Sequence, residues 1–184
     1  GGPWETRPAP IRSSWRVAYA ATAVLIDILP FLAGLVGFGV LWPHVRAADS
    51  GSAAARAALV WLAPATLAAA ATLVAAVWIL VRLLGIGLAE GHHPIHSRPA
   101  WQAWTTFRIL DEARWWLYPL YASSLTPAWL RSLGASIGAD AEVSTAVLIP
   151  KLTAVGEGAF LADDTLIGGY ELGGGWLRVA PVKI

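Results

Sequence analysis

The stretch IGADAE VSTAVL IPKLTA VGEGAF LADDTL IGGYEL, residues 137–172, decides how this chain folds. Cut into sixes, it opens every unit with an aliphatic side chain: Ile137, Val143, Ile149, Val155, Leu161 and Ile167. The fifth place holds Ala141, Val147, Thr153, Ala159 and Thr165, all small or β-branched, and Gly138, Ser144, Pro150, Gly156, Ala162 and Gly168 fill the second place. This is the hexapeptide pattern of a parallel β-helix. Each unit forms one short face of a triangular coil, the aliphatic pointing into a stacked core while small residues allow tight corners. Three units close a coil, so the stretch makes about two coils, fewer than a solenoid usually needs to stand alone. The pattern lapses at Glu171 and runs into Gly173, Gly174, Gly175 and Trp176, so residues 168–176 read as a loop extruded from the coil. A phosphate loop is a poor alternative there, because neither GxGxxG nor GxxxxGK[ST] is present.

Upstream the chain changes character. Of its 184 residues 57% are hydrophobic and 14% charged, against about 25% charged in ordinary soluble domains. From Val17 to Trp42 the sequence is nearly all apolar, and about 20 such residues cross the ~30 Å hydrocarbon layer as a helix. A signal peptide is a weaker reading, because its apolar core runs to only about 7–15 residues. Pro43 to Arg56 reads as a short polar connection, and Ala57 to Val81 carries no charge, the apolar run continuing past Arg82 to Leu88. The two runs predict a transmembrane hairpin. Arg82 lies near a helix end, where a long side chain snorkels to the headgroups. Ala33 with Gly37, and Ala68 with Thr72, are small residues four apart, a spacing that lets helices approach closely in lipid. Arg7, Arg12 and Arg16 precede the hairpin and Arg82, Arg98, Arg108 and Arg114 follow it, with only Arg46 and Arg56 between. By the positive-inside rule both ends, and the β-helix with them, are expected on the cytoplasmic side of a multi-pass cell-membrane protein.

Trp101, Trp104, Phe107, Trp115, Trp116, Tyr118, Tyr121 and Trp129 then crowd one segment. Their amphipathic rings suit the headgroup layer and predict an interfacial helix broken near Pro119. Arg108 with Glu112, and Asp111 with Arg114, have the spacing of surface pairs on one helical turn, a solvated face. The expected fold class is therefore α+β: a transmembrane α-helical hairpin and interfacial helix, followed by a truncated left-handed parallel β-helix. Its divisions are a proline-rich linker at 1–14, the hairpin at 15–90, the interfacial aromatic segment at 91–134 and the hexapeptide β-helix at 135–184. With no Met at position 1 and another repeat due near Ile184, the chain is expected to be part of a longer protein.

A net charge of +1 argues against nucleic acid as a partner. The absence of cysteine rules out a disulfide framework, a thiolate metal site and a cysteine nucleophile. His93 and His96, with His92 beside them, follow the second apolar run, and an imidazole can take a proton from an amine or hydroxyl acceptor. Their spacing lacks the cysteine or matched carboxylate of a zinc site, so no metal is expected. Asp27 falls inside the first span, where a carboxylate costs several kcal/mol unless paired or neutral, and such a residue is a functional candidate by default. Pro30 nearby frees a backbone carbonyl, and Tyr19 or Thr22 are candidate partners for a protonated Asp27. Asp163 and Asp164 sit at a corner of the repeat, where short polar side chains bond their own turn.

HPIHSRPAWQAW (His93 to Trp104), ILDEARWWLYPLYASSLTPAWLRSLGASIG (Ile109 to Gly138) and LIPKLTAVGEGAFLADDTLIGGYELGGGW (Leu148 to Trp176) together carry a family likeness. They resemble the C-terminal membrane region of the poly-lysine-synthetase type of nonribosomal peptide synthetase, over roughly residues 15 to 184. The resemblance implies an acyltransferase-like membrane module that couples carrier-bound amino acids into an isopeptide homopolymer. It implies a phosphopantetheine thioester as acyl donor in the full-length protein, with no cofactor bound by this stretch itself. The partners implied are the lipid bilayer and a carrier domain of the same longer chain, with a homo-oligomer formed through the β-helix as a further expectation. The repeat also resembles the hexapeptide acyltransferases, whose coil supplies a histidine base. Here His44, His92, His93 and His96 all precede the first repeat, so none matches that base by motif. The alternatives are a stand-alone membrane-anchored acyl or acetyl transferase acting on a sugar or lipid, and a β-helix that serves as a non-catalytic scaffold.

Overall fold

The computed structural model describes residues 2–184. The chain divides into two compact units, Val24–Ala76 and Gly1–Ala23 with Val77–Ile184.

The first unit is the body of a helical hairpin. Helices α1 (Ser13–Arg46) and α2 (Gly51–Leu84) each run 34 residues with a mean hydropathy of 2.3, long and apolar enough to cross a membrane. Only 17% and 22% of their most apolar windows are buried, so Leu25, Phe31, Leu35, Leu59 and Leu67 face outward, unlike the core helices of a soluble domain. The connection is shorter than the polar stretch suggests. Pro43 stays within α1, and the Ser50 hydroxyl accepts the Ala53 N–H at 3.2 Å to start α2. Of the two small-residue pairs, Ala33 and Gly37 are buried at the helix crossing. A Cβ on Gly37 would stand 2.6 Å from the Ala65 carbonyl oxygen and 3.1 Å from the Ala69 Cβ, so the backbones touch there. Ala68 and Thr72 are only half-buried, and the Thr72 hydroxyl donates to its own helix at Ala68, 2.8 Å away. Nearer the turn, the His44 and Trp61 rings stack with centroids 3.6 Å apart.

In the second unit the aromatic segment forms α3 (Arg98–Trp116), α4 (Tyr118–Tyr121) and α5 (Thr126–Leu133). The break falls at Leu117, which leaves the helical region, while Pro119 opens the first turn of α4, where its missing N–H costs nothing. The buried Thr126 hydroxyl donates to the Tyr121 carbonyl at 2.8 Å, and Gly134 ends α5 in the left-handed conformation at φ 109°.

Among the described residues ten short strands complete this unit. β2 (Ser136–Ile137), β3 (Glu142–Val143) and β4 (Val147–Leu148) lead to β5 (Thr153–Val155), β6 (Phe160–Leu161) and β7 (Leu166–Ile167). Each of the first three pairs in parallel with its counterpart one round later: Ser136 beside Ala154, Glu142 beside Phe160, Val147 beside Leu166. All six aliphatics of the repeat are buried, Ile149 to 1% exposure. The second round departs from strict periodicity by one residue at the Ala162–Thr165 corner, where Asp164 takes a φ of 57°. Val147 consequently lies beside Leu166 rather than Thr165.

Residues 168–176, expected as an extruded loop, form an ordered hairpin instead. β8 (Tyr170–Gly173) and β9 (Trp176–Val179) pair antiparallel, joined by Gly174 and Gly175 at φ 53° and 79°, the two positive dihedrals a tight hairpin turn needs. β9 then takes β1 (Gly91–Pro94) as its other neighbour, which covers an otherwise open strand edge. After the hairpin, β10 (Val182–Lys183) returns to lie parallel to β5, Val182 beside Thr153. At the N-terminus Trp4 packs against this turn, since a Cβ on Gly174 would meet the Trp4 Cβ at 2.5 Å, and the Arg7 guanidinium lies over the Trp176 ring at 5.0 Å. One core cluster joins the segment after α2, α3, the 149–152 turn and β9: Leu88, Ala100, Ala103, Ile149, Leu152, Leu177 and Val179, flanked by Phe107 and Tyr170.

Candidate functional site

His93 and His96 are brought into the same strand-and-turn segment and given different work. His93 stands on β1, and its Nε2 lies 3.1 Å from the Ala89 carbonyl. A carbonyl only accepts, so Nε2 carries the proton and Nδ1 is the basic nitrogen. The Nδ1 of His96 instead accepts the Arg12 backbone N–H at 3.2 Å. Its remaining proton sits on Nε2, so a neutral His96 is a donor, not a base, on its free side. His96 lines an apolar hollow of about 230 Å3 with Tyr19, Trp104, Tyr170 and Leu177. There Tyr19 donates to the Ile95 carbonyl at 2.8 Å and sets its ring edge-on to Trp104 at 5.0 Å. Burial raises the Tyr170 phenol above its ordinary value of 10.0. His92 faces the Trp4 ring, centroids 5.6 Å apart.

Asp27 belongs to the hairpin unit, where it is exposed on α1. The hydroxyl of Tyr19 is directed at Ile95, and that of Thr22 donates to Ala18 at 2.7 Å while accepting Trp101 Nε1 at 2.9 Å.

The charges read as a solvated helical face include one that reaches further. Arg108 pairs with Glu112 at 2.8 Å and Arg114 with Asp111 at 2.9 Å, as their spacing indicates. Arg114 is mostly buried, however, and also pairs with Asp164, tying α3 to the corner of the second round. Asp163 accepts the Ser144 hydroxyl, and the Asp164 N–H donates to Thr145 Oγ1 at 2.9 Å. Asp163 is thus tied to its turn while Asp164 braces α3 against the corner.

Sequence reasoning did not single out the hollow beside that corner. Tyr118, Tyr121, Ser123, Glu142, Phe160 and Asp163 line a cavity of about 560 Å3 open to solvent. Glu142 and Phe160 come together because β3 stacks on β6. Tyr121 is fully buried behind them, and desolvation pushes its phenol up to about 12 against the lowering effect of the bond it accepts from Trp129 Nε1 at 3.0 Å. The one-round spacing that places Glu142 beside Phe160 is the signal that could have found the cavity. Two carboxylates and two exposed rings suit a cationic amine, by charge and by cation–π contact. Among the described residues there is no group of three histidines and carboxylates able to hold a metal ion.

No protein-family model matches the chain, and no solved structure matches it. A stretch of 98 residues, 53% of the chain, is 35% identical to part of the delta-poly-L-ornithine synthetase of Acinetobacter baumannii (strain AB307-0294). The matched stretch is 7% of that synthetase, so the chain spans a small part of its relative's length. The similarity supports a family related to the poly-amino-acid synthetases.

Proposed function

We propose that this chain is a membrane-anchored coupling module of a poly-amino-acid synthetase, in which α1 and α2 span the bilayer and the paired rounds 136–167 begin a left-handed β-helix of acyltransferase type. The observation that carries the proposal is the 98-residue similarity to a poly-L-ornithine synthetase. The outward apolar faces of both helices, the parallel stacking one round apart and the inward aliphatics support it. The acceptor is the side-chain amine of a cationic amino acid, held by Glu142, Asp163, Tyr118 and Phe160. The donor is an aminoacyl thioester on a carrier of the same longer protein. In coupling, a base takes one proton from the cationic amine, the freed nitrogen forms a bond to the acyl carbon as the carbon–sulfur bond breaks, and the proton then left on nitrogen passes to the departing thiolate, which leaves as the thiol. His93 Nδ1 is the candidate base in this unit, and Asp27 the candidate proton relay in the span.

The test uses full-length protein in proteoliposomes, with carrier loading and polymer formation measured separately. Glu142→Gln with Asp163→Asn is expected to leave loading unchanged and to slow polymer formation about tenfold, the size of two partly exposed charge contacts. His93→Gln is expected to cost about a hundredfold or more if it is the base, and Asp27→Asn to abolish product while insertion persists if it relays protons. Normal polymer yield from the Glu142/Asp163 variant would overturn the placing of the amine, and yield from all three variants the assignment of coupling to this module.

Orientation has a separate test, because the chain carries no cysteine. A cysteine at Ser52, exposed in the first turn of α2, should react with an impermeant thiol reagent added outside intact cells. One at Ser136, on the coil, should react only after permeabilisation. The reverse pattern would invert the proposed topology.

A further inference from the structure

A third cavity, of about 260 Å3, lies where the last turn of α2 meets α3, the end of α5 and residues 149–151. Its walls are apolar, with Ile86, Leu133 and Ile149 among them, yet it is bordered by two cations, Arg82 and Lys151. Neither has a carboxylate partner among the described residues. Lys151 Nζ donates one proton to the Gly85 carbonyl at 2.8 Å, and the left-handed Gly134 leaves room for Arg82, since a Cβ there would stand 3.0 Å from Arg82 Nη1.

Thr106 supplies an independent sign of a ligand. Its residue is 2% exposed, it lines the cavity, and its hydroxyl has no partner. Thr22, Thr66 and Thr72 are also helical, and each returns its hydroxyl to the carbonyl four residues back, at 2.7–2.9 Å. Thr106 does not, and an unmet buried donor carries a desolvation cost that a bound acceptor removes. The carbonyls ending α2, which would repel an anion, are already covered: Gln102 Nε2 donates to Leu84 at 2.9 Å and to Ile86 at 2.8 Å.

We propose that this cavity binds a phosphate group, that of an anionic phospholipid headgroup, with Arg82 and Lys151 as its charge partners and the Thr106 hydroxyl as a further donor. The inference rests on the membrane reading of α1 and α2. Arg82 closes an apolar helix, and Trp78, one turn earlier, is half-exposed with its Nε1 donating to the Ser132 carbonyl at 3.1 Å, the arrangement of an aromatic anchor at headgroup depth. Basic pockets at such helix ends are where lipid phosphates are held. The volume is below the range of sites that enclose a whole drug-sized ligand, so the cavity takes the headgroup and leaves the acyl chains outside.

The test is lipid retention by full-length protein, which reads nothing about polymer formation and so fails or succeeds apart from the coupling proposal. Detergent-solubilised protein is exchanged into mixed micelles of phosphatidylglycerol or phosphatidylcholine and repurified, and bound lipid is counted by mass spectrometry. Phosphatidylglycerol should be kept in preference. Arg82→Gln and Lys151→Gln should each weaken its retention about fivefold, the size of one cation's attraction to an anionic lipid. Thr106→Val should also lower it and Thr106→Ser restore it, while Arg98→Gln, an exposed arginine outside the cavity, should leave it unchanged. Equal retention of the two lipids, or cavity variants that behave like Arg98→Gln, would overturn the site. Full displacement by millimolar inorganic phosphate would identify a free phosphate as the ligand and overturn the assignment to lipid.

Discussion

Gly37→Leu is expected to separate the two long helices, at a cost of about 3 kcal/mol, the upper end of what forcing extra atoms into a packed contact usually costs. The first added carbon would already stand 2.6 Å from the backbone oxygen of Ala65, and a backbone oxygen cannot turn aside as a side chain can. Helices in lipid gain no hydrophobic advantage from meeting, so close approach through small residues supplies most of their attraction. The same helix carries its own controls. A Cβ on Gly34 or Gly39 would meet nothing within 4 Å, so Gly34→Leu and Gly39→Leu should be tolerated, or slightly stabilising through helix propensity. Reversible unfolding in detergent, followed by tryptophan fluorescence, compares the three variants. Equal midpoints would show that the helices do not cross at Gly37.

Ile149→Asp should have the second large effect, a loss of 4 kcal/mol or more, enough to unfold the coil and its attached helix. Ile149 is 1% exposed in the cluster of Leu88, Ala103, Leu152 and Leu177, and an aspartate in its place would lose those apolar contacts and be desolvated among them. Leu166, on β7, is 65% exposed, and Leu166→Asp should stay within about 0.5 kcal/mol of the parent because its side chain points to solvent. Limited proteolysis over residues 91–184, with thermal unfolding of the full-length protein, reads both. A stable Ile149→Asp protein would mean that this position does not face the core.

The contrast between Ile149 and Leu166 shows what is legible in one chain. A six-residue period of aliphatics announces which side chains go inward, because burial is decided residue by residue through the transfer of apolar surface out of water. The apolar runs around Val24 and Leu73 likewise announce helices of spanning length. Periodicity reaches only as far as the pattern is kept. At the Ala162–Thr165 corner, one extra residue and the left-handed Asp164 shift the pairing, a choice the spacing of the aliphatics does not reveal.

The sequence by itself determined which aliphatics of residues 137–167 turn inward, the length and apolarity of the two helices, and the residue types available for chemistry. Only the tertiary structure decided that Gly91–Pro94 joins the 170–179 hairpin, that Arg114 reaches Asp164, that Gly37 rather than the Ala68–Thr72 pair is the contact between helices, and that His93 keeps a basic nitrogen while His96 does not. The physical reason is one of range. Apolar patterning is a local relation of each residue to water, whereas strand edges, charges and imidazole nitrogens are satisfied by whichever distant partner the folded chain brings within about 3 Å of them.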